Sequence, residues 1–232
     1  MPVTSQRLPQ QVREALRLFA EGRSAIVFHA LRTRMRSQTL ALGLRRDLTV
    51  PFATPQAKIA LDVRPLQPGD DLAMLDIVGN GQSPELVPGL LAQQRLLHAN
   101  IPTCWVAIAP DGRVCYMQWL IASKNNHRIR AQWGDLFPPL AADEALLEGA
   151  YTGAAYRGQG IMPHAMARIA EAARAFGARW VSTFVGDYNL ASLKGCKKAG
   201  FVPYLKRVES WLLLRRTTEF TPLPTGTPYP FD

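Results

Sequence analysis

The sequence has few cysteines and no long apolar run, and these absences exclude several classes of protein. Its 232 residues include only three cysteines, and Cys104, Cys115 and Cys196 are too few and too far apart for a disulfide framework. The four histidines show no short ligand spacing with them, so no metal site is predicted. No apolar stretch approaches the roughly 18–20 residues of a membrane-spanning helix, and residues 1–7 lack the apolar run of a signal peptide. We therefore expect a cytoplasmic protein without a membrane span.

The charge is unevenly distributed along a chain of otherwise ordinary globular composition. The apolar fraction is 47% and the charged fraction 19%, which is typical of a folded chain. Residues 1–58 hold ten Lys/Arg and three Asp/Glu, so they supply +7 of the net charge of +9. Two amphipathic helices are predicted there, with apolar residues at helical spacing: Val12, Leu16 and Phe19 in the first, and Phe28, Leu31 and Met35 in the second. We interpret residues 1–58 as a basic, mostly helical N-terminal extension that ends in a proline-containing linker.

The arginines of this extension allow two interpretations. They are Arg32, Arg34, Arg36, Arg45 and Arg46. They form either a solvated helix face or a surface that attracts an acidic partner, such as an anionic lipid or an acyl carrier protein. Nucleic acid is not expected as a partner, because no aromatic platform or reading motif is interleaved with the basic residues.

Strand-like and helix-like patterns alternate from residue 59 to residue 220, which predicts an α/β (α+β) sheet domain. Strands are predicted at 59–65, 102–109, 113–121, 146–152 and 179–185, with two more in 201–220. Helices are predicted at 68–71, 83–99, 163–177 and 189–200. Residues 125–145 show no clear period and are expected to form an irregular connection that lines the substrate pocket. The Pro-rich tail, residues 221–232, is expected to be extended; it either packs on a partner subunit, as in a homodimer, or lies free.

A glycine-rich loop joins the predicted strand ending at Thr152 to the next helix. It includes Arg157, Gly158, Gln159, Gly160 and Ile161. Glycine lets the main chain approach a ligand closely, and free N–H groups at a helix start attract anions. This loop therefore predicts a phosphate-bearing ligand, although glycine-rich turns are common. A nucleotide P-loop and a dinucleotide site are disfavoured, because Gly-Lys-Ser/Thr and a full Gly-x-Gly-x-x-Gly are both missing.

Two motifs at this separation resemble the GNAT superfamily of acyl-coenzyme A-dependent N-acyltransferases. The first is Arg157-Gly158-Gln159-Gly160-Ile161-Met162, in which Met162 replaces a small residue. The second begins at Asn189-Leu190-Ala191-Ser192 and ends at Ala199-Gly200-Phe201. The resemblance covers residues 59–220 and implies a mixed, mostly antiparallel sheet, flanked by helices, whose fourth and fifth strands splay apart. It also implies that acetyl-CoA, or another acyl-CoA, is bound by Thr152, by residues Arg157 to Met162, and by Asn189 and Ser192.

The resemblance also implies catalytic roles. Glu148, four residues before Thr152, matches a carboxylate that serves as general base, although a carboxylate there could instead pair with an arginine. A main-chain N–H near Tyr151 or Thr152 is expected to stabilise the oxyanion. Cys196 stands where the family often has a tyrosine that protonates the departing thiolate. Tyr151, Tyr188, His164 and water are the alternative proton donors.

Three functions follow from these expectations. The leading one is transfer of an acetyl group from acetyl-CoA to a primary amine of a small molecule or peptide. The alternatives are a GNAT-like module that binds acyl-CoA without catalysis, and an N-acyltransferase that takes a longer acyl chain from an acidic acyl carrier protein. The departures from the family pattern at Met162 and Cys196 leave the non-catalytic binding module as an alternative. The basic extension is the reason for considering an acyl carrier protein as the acyl donor.

Overall fold

The computed structural model describes residues 20, 24–76, 87–99 and 101–232. Helices in these residues are α1 (Ser24–Met35), α2 (Val87–His98), α3 (Asn126–Trp133), α4 (Ile161–Ala172) and α5 (Leu190–Lys198). Strands are β1 (Arg36–Asp47), β2 (Asp62–Pro65), β3 (Cys104–Ile108), β4 (Val114–Ala122), β5 (Glu144–Thr152), β6 (Trp180–Gly186), β7 (Val202–Leu212) and β8 (Arg215–Pro222). Short 3₁₀ turns occur at Ala73–Leu75, Ser123–Asn125, Ala154–Tyr156 and Ala173–Phe176.

Within the described residues, the sheet has eight strands in the order β2-β3-β4-β5-β6-β1-β7-β8. Strands β2 to β5 pair antiparallel with their neighbours, whereas β5 and β6 run parallel. The predicted mixed, mostly antiparallel α/β sheet is confirmed. Strands β5 and β6, the predicted fourth and fifth strands, pair only from Glu144↔Trp180 to Leu146↔Ser182. Both strands continue beyond these pairs, so they diverge toward their carboxyl ends.

The region before residue 59 differs from the sequence prediction. The helix predicted around Phe28 and Leu31 is present as α1, but β1 follows it directly and pairs antiparallel with β6 from Ala41↔Gly186 to Asp47↔Trp180. The "mostly helical" description is therefore wrong for residues 36–47. The first predicted helix, around Val12 to Phe19, lies outside the described residues.

Contacts divide the chain into two compact units. The smaller comprises residues 1–40 and 208–219, and the larger comprises residues 41–207 and 220–232. These limits differ from the boundaries at residues 58 and 220 expected from the sequence, which stay a prediction. In the smaller unit, Leu213 and Leu214 donate main-chain hydrogen bonds to the carbonyls of Met35 and Arg34 at the end of α1 (both 2.9 Å).

One of the arginines assigned to a basic surface is buried inside the larger unit. Arg46 is 3% exposed, pairs with Glu171 on α4 and stacks over Phe52. Arg45 lies over the rings of Trp180 and Tyr204. The surface interpretation is therefore wrong for Arg46, because β1 carries this residue into the domain, where its charge is paired.

The larger unit has apolar cores on both faces of the sheet. On one face, α2 and α3 cover Met117, Trp119 and Leu146. The connection at 125–145, expected to be irregular, contains α3 and buries Ile129, Phe137 and Leu140 in this core. On the other face, α4 packs small and medium buried residues against β4 and β5.

The Pro-rich tail packs back on its own chain. Tyr229 is 5% exposed and its hydroxyl donates to the Phe201 carbonyl (2.7 Å). Asp232 pairs with Lys197 of α5. The alternative of a free tail is therefore wrong, because Tyr229 is buried against α5 and the start of β7, and packing of the tail on a partner subunit stays a prediction.

No helix in the described ranges has the length and apolar character needed to cross a lipid bilayer.

Candidate active site

The loop between β5 and α4 presents main-chain N–H groups at a helix start. Gly158 and Gly160 have positive φ angles of 76° and 73°, which glycine adopts without the steric cost of a Cβ atom. Gly160 is the N-cap of α4 and no side chain caps this helix. Within the described residues, the N–H groups of 158–162 donate no hydrogen bond to the protein. Together with the positive end of the helix dipole, they form a site suited to an anion.

The segment before β2 supports this loop from behind. The Lys58 N–H donates to the Gln159 carbonyl at 2.8 Å, and His164 Nδ1 donates to the Pro55 carbonyl at 2.9 Å. Arg157 Nε reaches back to the Thr152 carbonyl at 3.3 Å. The loop is therefore held in position before any ligand arrives, which lowers the entropy cost of binding.

A cleft of about 610 Å³ opens in front of the loop. It is lined by Tyr151, Thr152, Arg157, Gly158, Gly160, Ile161, Met162, Asn189 and Ser192, among others. Lys194 and Lys198 of α5 also line it and join Arg157 in giving the cleft positive charge. Their i, i+4 spacing is the sequence signal that could have identified them, because it puts both on one helix face.

The start of α5 forms the opposite wall of the cleft. Asn189 is the N-cap of this helix, and its Oδ1 accepts a hydrogen bond from the Ser192 N–H at 3.1 Å. A Cβ atom on Gly195 would stand 2.8 Å from Met162 Sδ. The bulky Met162 of the first motif thus fits because its neighbour on α5 has no side chain.

A second pocket of about 200 Å³ adjoins the cleft. Ala150, Met162, Asn189 and Ser192 line both spaces. The smaller pocket is also lined by Gln93, Gln118, Glu148, Met166, Phe184 and Cys196. The two spaces meet where β5 and β6 diverge, so a ligand in the cleft can present one end to the side chains of the smaller pocket.

A β-bulge shapes the β5 side of the smaller pocket. Met117 pairs with Tyr151 and Trp119 pairs with Glu148, so the single residue Gln118 faces both Gly149 and Ala150. Gly149 has a φ of 67°, and a Cβ atom there would stand 2.8 Å from Leu96 and Trp119. Glycine at 149 thus allows both the backbone conformation and the close approach of α2.

Glu148 is the carboxylate of this pocket. It lines the pocket, but the surrounding protein largely removes its carboxyl from water. This desolvation raises its pKa to about 7, while the Gly149 hydrogen bond and the Arg207 charge act in the opposite direction. Arg207 itself lies over the rings of Phe137 and Phe184 and donates to the Leu136 carbonyl. The predicted base is thus placed where it can exchange a proton near neutral pH.

The candidate proton donors lie in different environments. Cys196 is fully buried, its Sγ is 3.8 Å from Met166 Sδ, and burial raises its pKa to about 12. The Tyr151 hydroxyl is buried near Arg157 and makes no hydrogen bond of ordinary geometry among the described residues. Desolvation raises its pKa, and the neighbouring Arg157 acts in the opposite direction. Tyr188 is 80% exposed, and His164 is occupied by the Pro55 carbonyl.

The structure brings almost all of the predicted site residues to these two spaces. Gln159 is the exception among them, since its carbonyl is turned toward Lys58 and it does not line either space. Sequence reasoning missed Gln93, Gln118 and Tyr116, which also line the spaces. Tyr116 and Gln118 are neighbours on one face of β4, but no sequence spacing relates them to Gln93, which α2 brings to the pocket.

Comparison with known proteins gives a family and a fold. The family model described as "Acetyltransferase (GNAT) family" matches residues 82–201, which is more than half of the chain. The region of a fungal multi-domain GH3 beta-N-acetylglucosaminidase described as a GCN5-related glucosamine N-acetyltransferase has a similar structure, with a TM-score of 0.53 and 16% identity. The aligned part covers 82% of this chain and 23% of that one.

Two further solved structures show weaker likeness. A GCN5-related N-acetyltransferase from Sphaerobacter thermophilus gives a TM-score of 0.47 at 12% identity, covering 87% of this chain and 57% of that chain. A GNAT-family acetyltransferase from Colwellia psychrerythraea gives a TM-score of 0.48 at 14% identity, and the aligned part covers 79% of this chain and 60% of that chain. This chain thus spans less than two thirds of each structure. No curated protein shows significant similarity to the chain.

Proposed function

Because this chain belongs to the GNAT acetyltransferase family, we propose that it transfers an acetyl group from acetyl-CoA to a primary amine. The observation that carries the proposal is the junction of the two spaces: a loop with free N–H groups lines one, and Glu148 lines the other. A long ligand with a phosphate-rich end and a reactive end matches this arrangement.

The cleft supports binding of the coenzyme through its charge. The N–H groups of 158–162 would hold the diphosphate, with Arg157, Lys194 and Lys198 supplying positive charge nearby. Thr152, Asn189 and Ser192 would line the path of the pantetheine arm between the diverging strands. Met162, at the junction, would contact the region of the thioester.

Glu148 would act as the general base. An alkylammonium acceptor with a pKa of about 10.4 has to lose a proton before its nitrogen can attack the thioester carbon. A carboxylate whose pKa is about 7 is a better proton acceptor than one with the ordinary value, so desolvation suits Glu148 to this task. The nitrogen forms the C–N bond, and a main-chain N–H near Tyr151 or Thr152 stabilises the oxyanion.

Collapse of the oxyanion breaks the C–S bond and releases the coenzyme thiolate, which needs a proton, while the nitrogen loses its remaining surplus proton to water as the amide forms. Tyr151 lines the cleft, and its hydroxyl makes no hydrogen bond of ordinary geometry among the described residues. Cys196 lies beside the smaller pocket and keeps its proton, since burial raises its pKa to about 12. We assign the donor role to Tyr151 ahead of Cys196, because the cleft is where the leaving sulfur would stand.

Calorimetry and a thiol-release assay test this function. The wild-type protein should bind acetyl-CoA and release free thiol when a broad panel of primary amines is supplied. Gly158→Glu should abolish binding, because it puts a negative charge where the phosphates bind. Gly158→Gln is the matched control, since it has the same size and the same positive-φ strain without the charge, and it should retain much more affinity.

The outcomes separate the candidate functions. Binding without turnover on every amine would favour a non-catalytic acyl-CoA-binding module. Turnover only with a longer acyl chain on an acyl carrier protein would favour the third function. If Gly158→Glu and Gly158→Gln bind acetyl-CoA with equal affinity, the loop does not bind the phosphates of the coenzyme.

A further inference from the structure

Two buried glutamines of the smaller pocket have polar atoms that no protein group satisfies. Gln118 is 0% exposed and Gln93 is 7% exposed. Gln118 Nε2 and Gln93 Oε1 have no hydrogen-bond partner among the described residues. An unsatisfied buried polar atom destabilises the fold, so such atoms at a pocket wall indicate a ligand that completes them.

Tyr116 fixes the orientation of the Gln118 amide. Its hydroxyl donates to Gln118 Oε1 at 2.8 Å. Burial raises the pKa of Tyr116 well above its ordinary value, so the hydroxyl keeps its proton. Because Oε1 is occupied, the remaining amide group faces the pocket as a donor. Gln118 precedes Trp119, the cross-strand partner of Glu148, and Gln118 and Glu148 both line the smaller pocket.

Helix α2 carries the Gln93 acceptor to the same place. Leu96, three residues later on the same helix face, packs against Gly149 in the bulge next to Glu148. The adjacent Gln94 donates to the Leu75 carbonyl at 3.0 Å and fixes the helix to the 3₁₀ turn at Ala73–Leu75. The pocket thus combines a donor oriented by Tyr116, an acceptor and a carboxylate.

We propose that the acceptor amine carries an uncharged oxygen on the neighbouring carbon, as in a 1,2-amino alcohol or an α-amino amide. This inference rests on the proposed acetyl transfer. Gln118 Nε2 donates to that oxygen and Gln93 Oε1 accepts from an N–H of the amine, which holds the nitrogen beside Glu148. The pocket of about 200 Å³ is smaller than the roughly 300–1,000 Å³ of drug-sized ligand sites, so it accepts a small amine or the amine end of a larger one.

The charge of the pocket excludes a carboxylate at that position. A free α-amino acid would put its carboxylate next to Glu148 in a desolvated space, where like charges repel strongly. A hydroxyl or amide oxygen accepts from Gln118 without this repulsion. The pocket therefore distinguishes glycinamide from glycine as well as 2-aminoethanol from propylamine.

Competing acceptors of matched size test the inference. With the wild-type protein, kcat/KM for 2-aminoethanol and glycinamide should exceed that for propylamine and glycine by about tenfold or more, since a site built for a hydrogen bond rejects an analogue that lacks it. Gln118→Met and Gln93→Met keep the side-chain length and remove the amide. In each variant, the ratio of kcat/KM for 2-aminoethanol to kcat/KM for propylamine should fall toward one.

Gln132→Met is the control, because Gln132 is also a helical glutamine but is exposed on α3 and lines neither space. It should preserve the ratio, and melting curves check that all three variants fold. Equal kcat/KM values for 2-aminoethanol and propylamine, or a ratio that survives both pocket variants, would overturn the inference while leaving acetyl transfer in place.

Failure of the transfer itself gives a different pattern. If no amine is acetylated, the same four amines are titrated by calorimetry into protein saturated with coenzyme A. If 2-aminoethanol binds more tightly than propylamine and Gln118→Met removes this difference, the amine subsite is supported and the proposed acetyl transfer is not. Equal binding would reject both.

Discussion

Folding places the carboxyl of Glu148 in a largely desolvated pocket, and its reactivity should therefore depend on pH. Its pKa of about 7 means that the base form increases as the pH rises through neutrality. We predict that kcat/KM of the wild-type protein rises through about pH 7. Glu148→Gln should lower turnover by about 10²–10⁴-fold and remove this limb of the profile, while leaving acetyl-CoA affinity nearly unchanged.

Glu144→Gln serves as the control for that profile. Glu144 also lies on β5, but its carboxylate accepts a hydrogen bond from the Ala141 N–H (2.9 Å) and does not line either space. Its profile should match that of the wild type. If kcat/KM of Glu148→Gln still rises near pH 7, another group is the general base.

The same residue should affect the free energy of unfolding. The folded pKa, about 7, lies above the ordinary value of 4.5, so the folded state binds this proton more tightly than the unfolded state. Wild-type stability is therefore lost as the pH rises from about 4.5 to 7. We predict that Glu148→Gln is more stable than wild type at pH 8, by on the order of 2–3 kcal/mol, and that the gain shrinks toward pH 4.5. Denaturant titrations at several pH values measure it, and a pH-independent difference would contradict it.

At the scale of elements, the contact between α4 and α5 sets the width of the cleft. A methyl group at Gly195 would overlap Met162 Sδ, which is the flexible end of a side chain that lines both spaces. We predict that Gly195→Ala displaces Met162 into the coenzyme path and weakens acetyl-CoA binding by about 1 kcal/mol, roughly fivefold. The melting temperature should stay the same or rise, since alanine favours the helix more than glycine.

The double variant Gly195→Ala/Met162→Ala tests that explanation. Removing the Met162 side chain clears the overlap, so calorimetry should show affinity restored relative to Gly195→Ala alone. Affinity that stays low in the double variant would show that Gly195 acts through the helix backbone instead.

Local elements could be predicted from the sequence, whereas elements that depend on distant partners could not. The β3–β4 hairpin, the glycine loop and the Asn189 cap are specified by neighbouring residues, and the structure has each of them. Strand β1 was missed because Arg36 to Asp47 carries four charges, and its place between β6 and β7 depends on residues more than 130 positions away. Helix α3 was missed because it is polar, with Ile129 as its buried residue.

The site shows the same division. The places of Gly158, Gly160 and Glu148 beside the two spaces could be predicted from the motifs, since all three belong to one short stretch of chain. The Gln93 and Gln118 amides could not, because one lies on a helix and the other on a strand. They reach one pocket through the packing of α2 on the sheet, which includes the contact of Leu96 with Gly149.

At the scale of the whole molecule, the C-terminal residues close the core around α5. Tyr229 is 5% exposed and its hydroxyl binds the Phe201 carbonyl. We predict that Tyr229→Ala lowers the free energy of unfolding by about 3 kcal/mol, through the cavity it leaves. Tyr229→Phe keeps the ring and should cost only about 1 kcal/mol, the value of one hydrogen bond. Chemical denaturation measures both, and equal losses would show that the ring is not what stabilises the domain.

The divergence of β5 and β6 also governs which amides can exchange with solvent. Pairing between these strands ends at Leu146↔Ser182, so beyond that point β5 has a ladder partner on its β4 side alone. An amide-bearing pantetheine arm in this gap would take the place of the absent neighbour and shield the exposed backbone. Deuterium uptake along residues 147–152 and 183–186 should therefore slow when the coenzyme is added. The exchange rate of these amides would then report whether the coenzyme is bound.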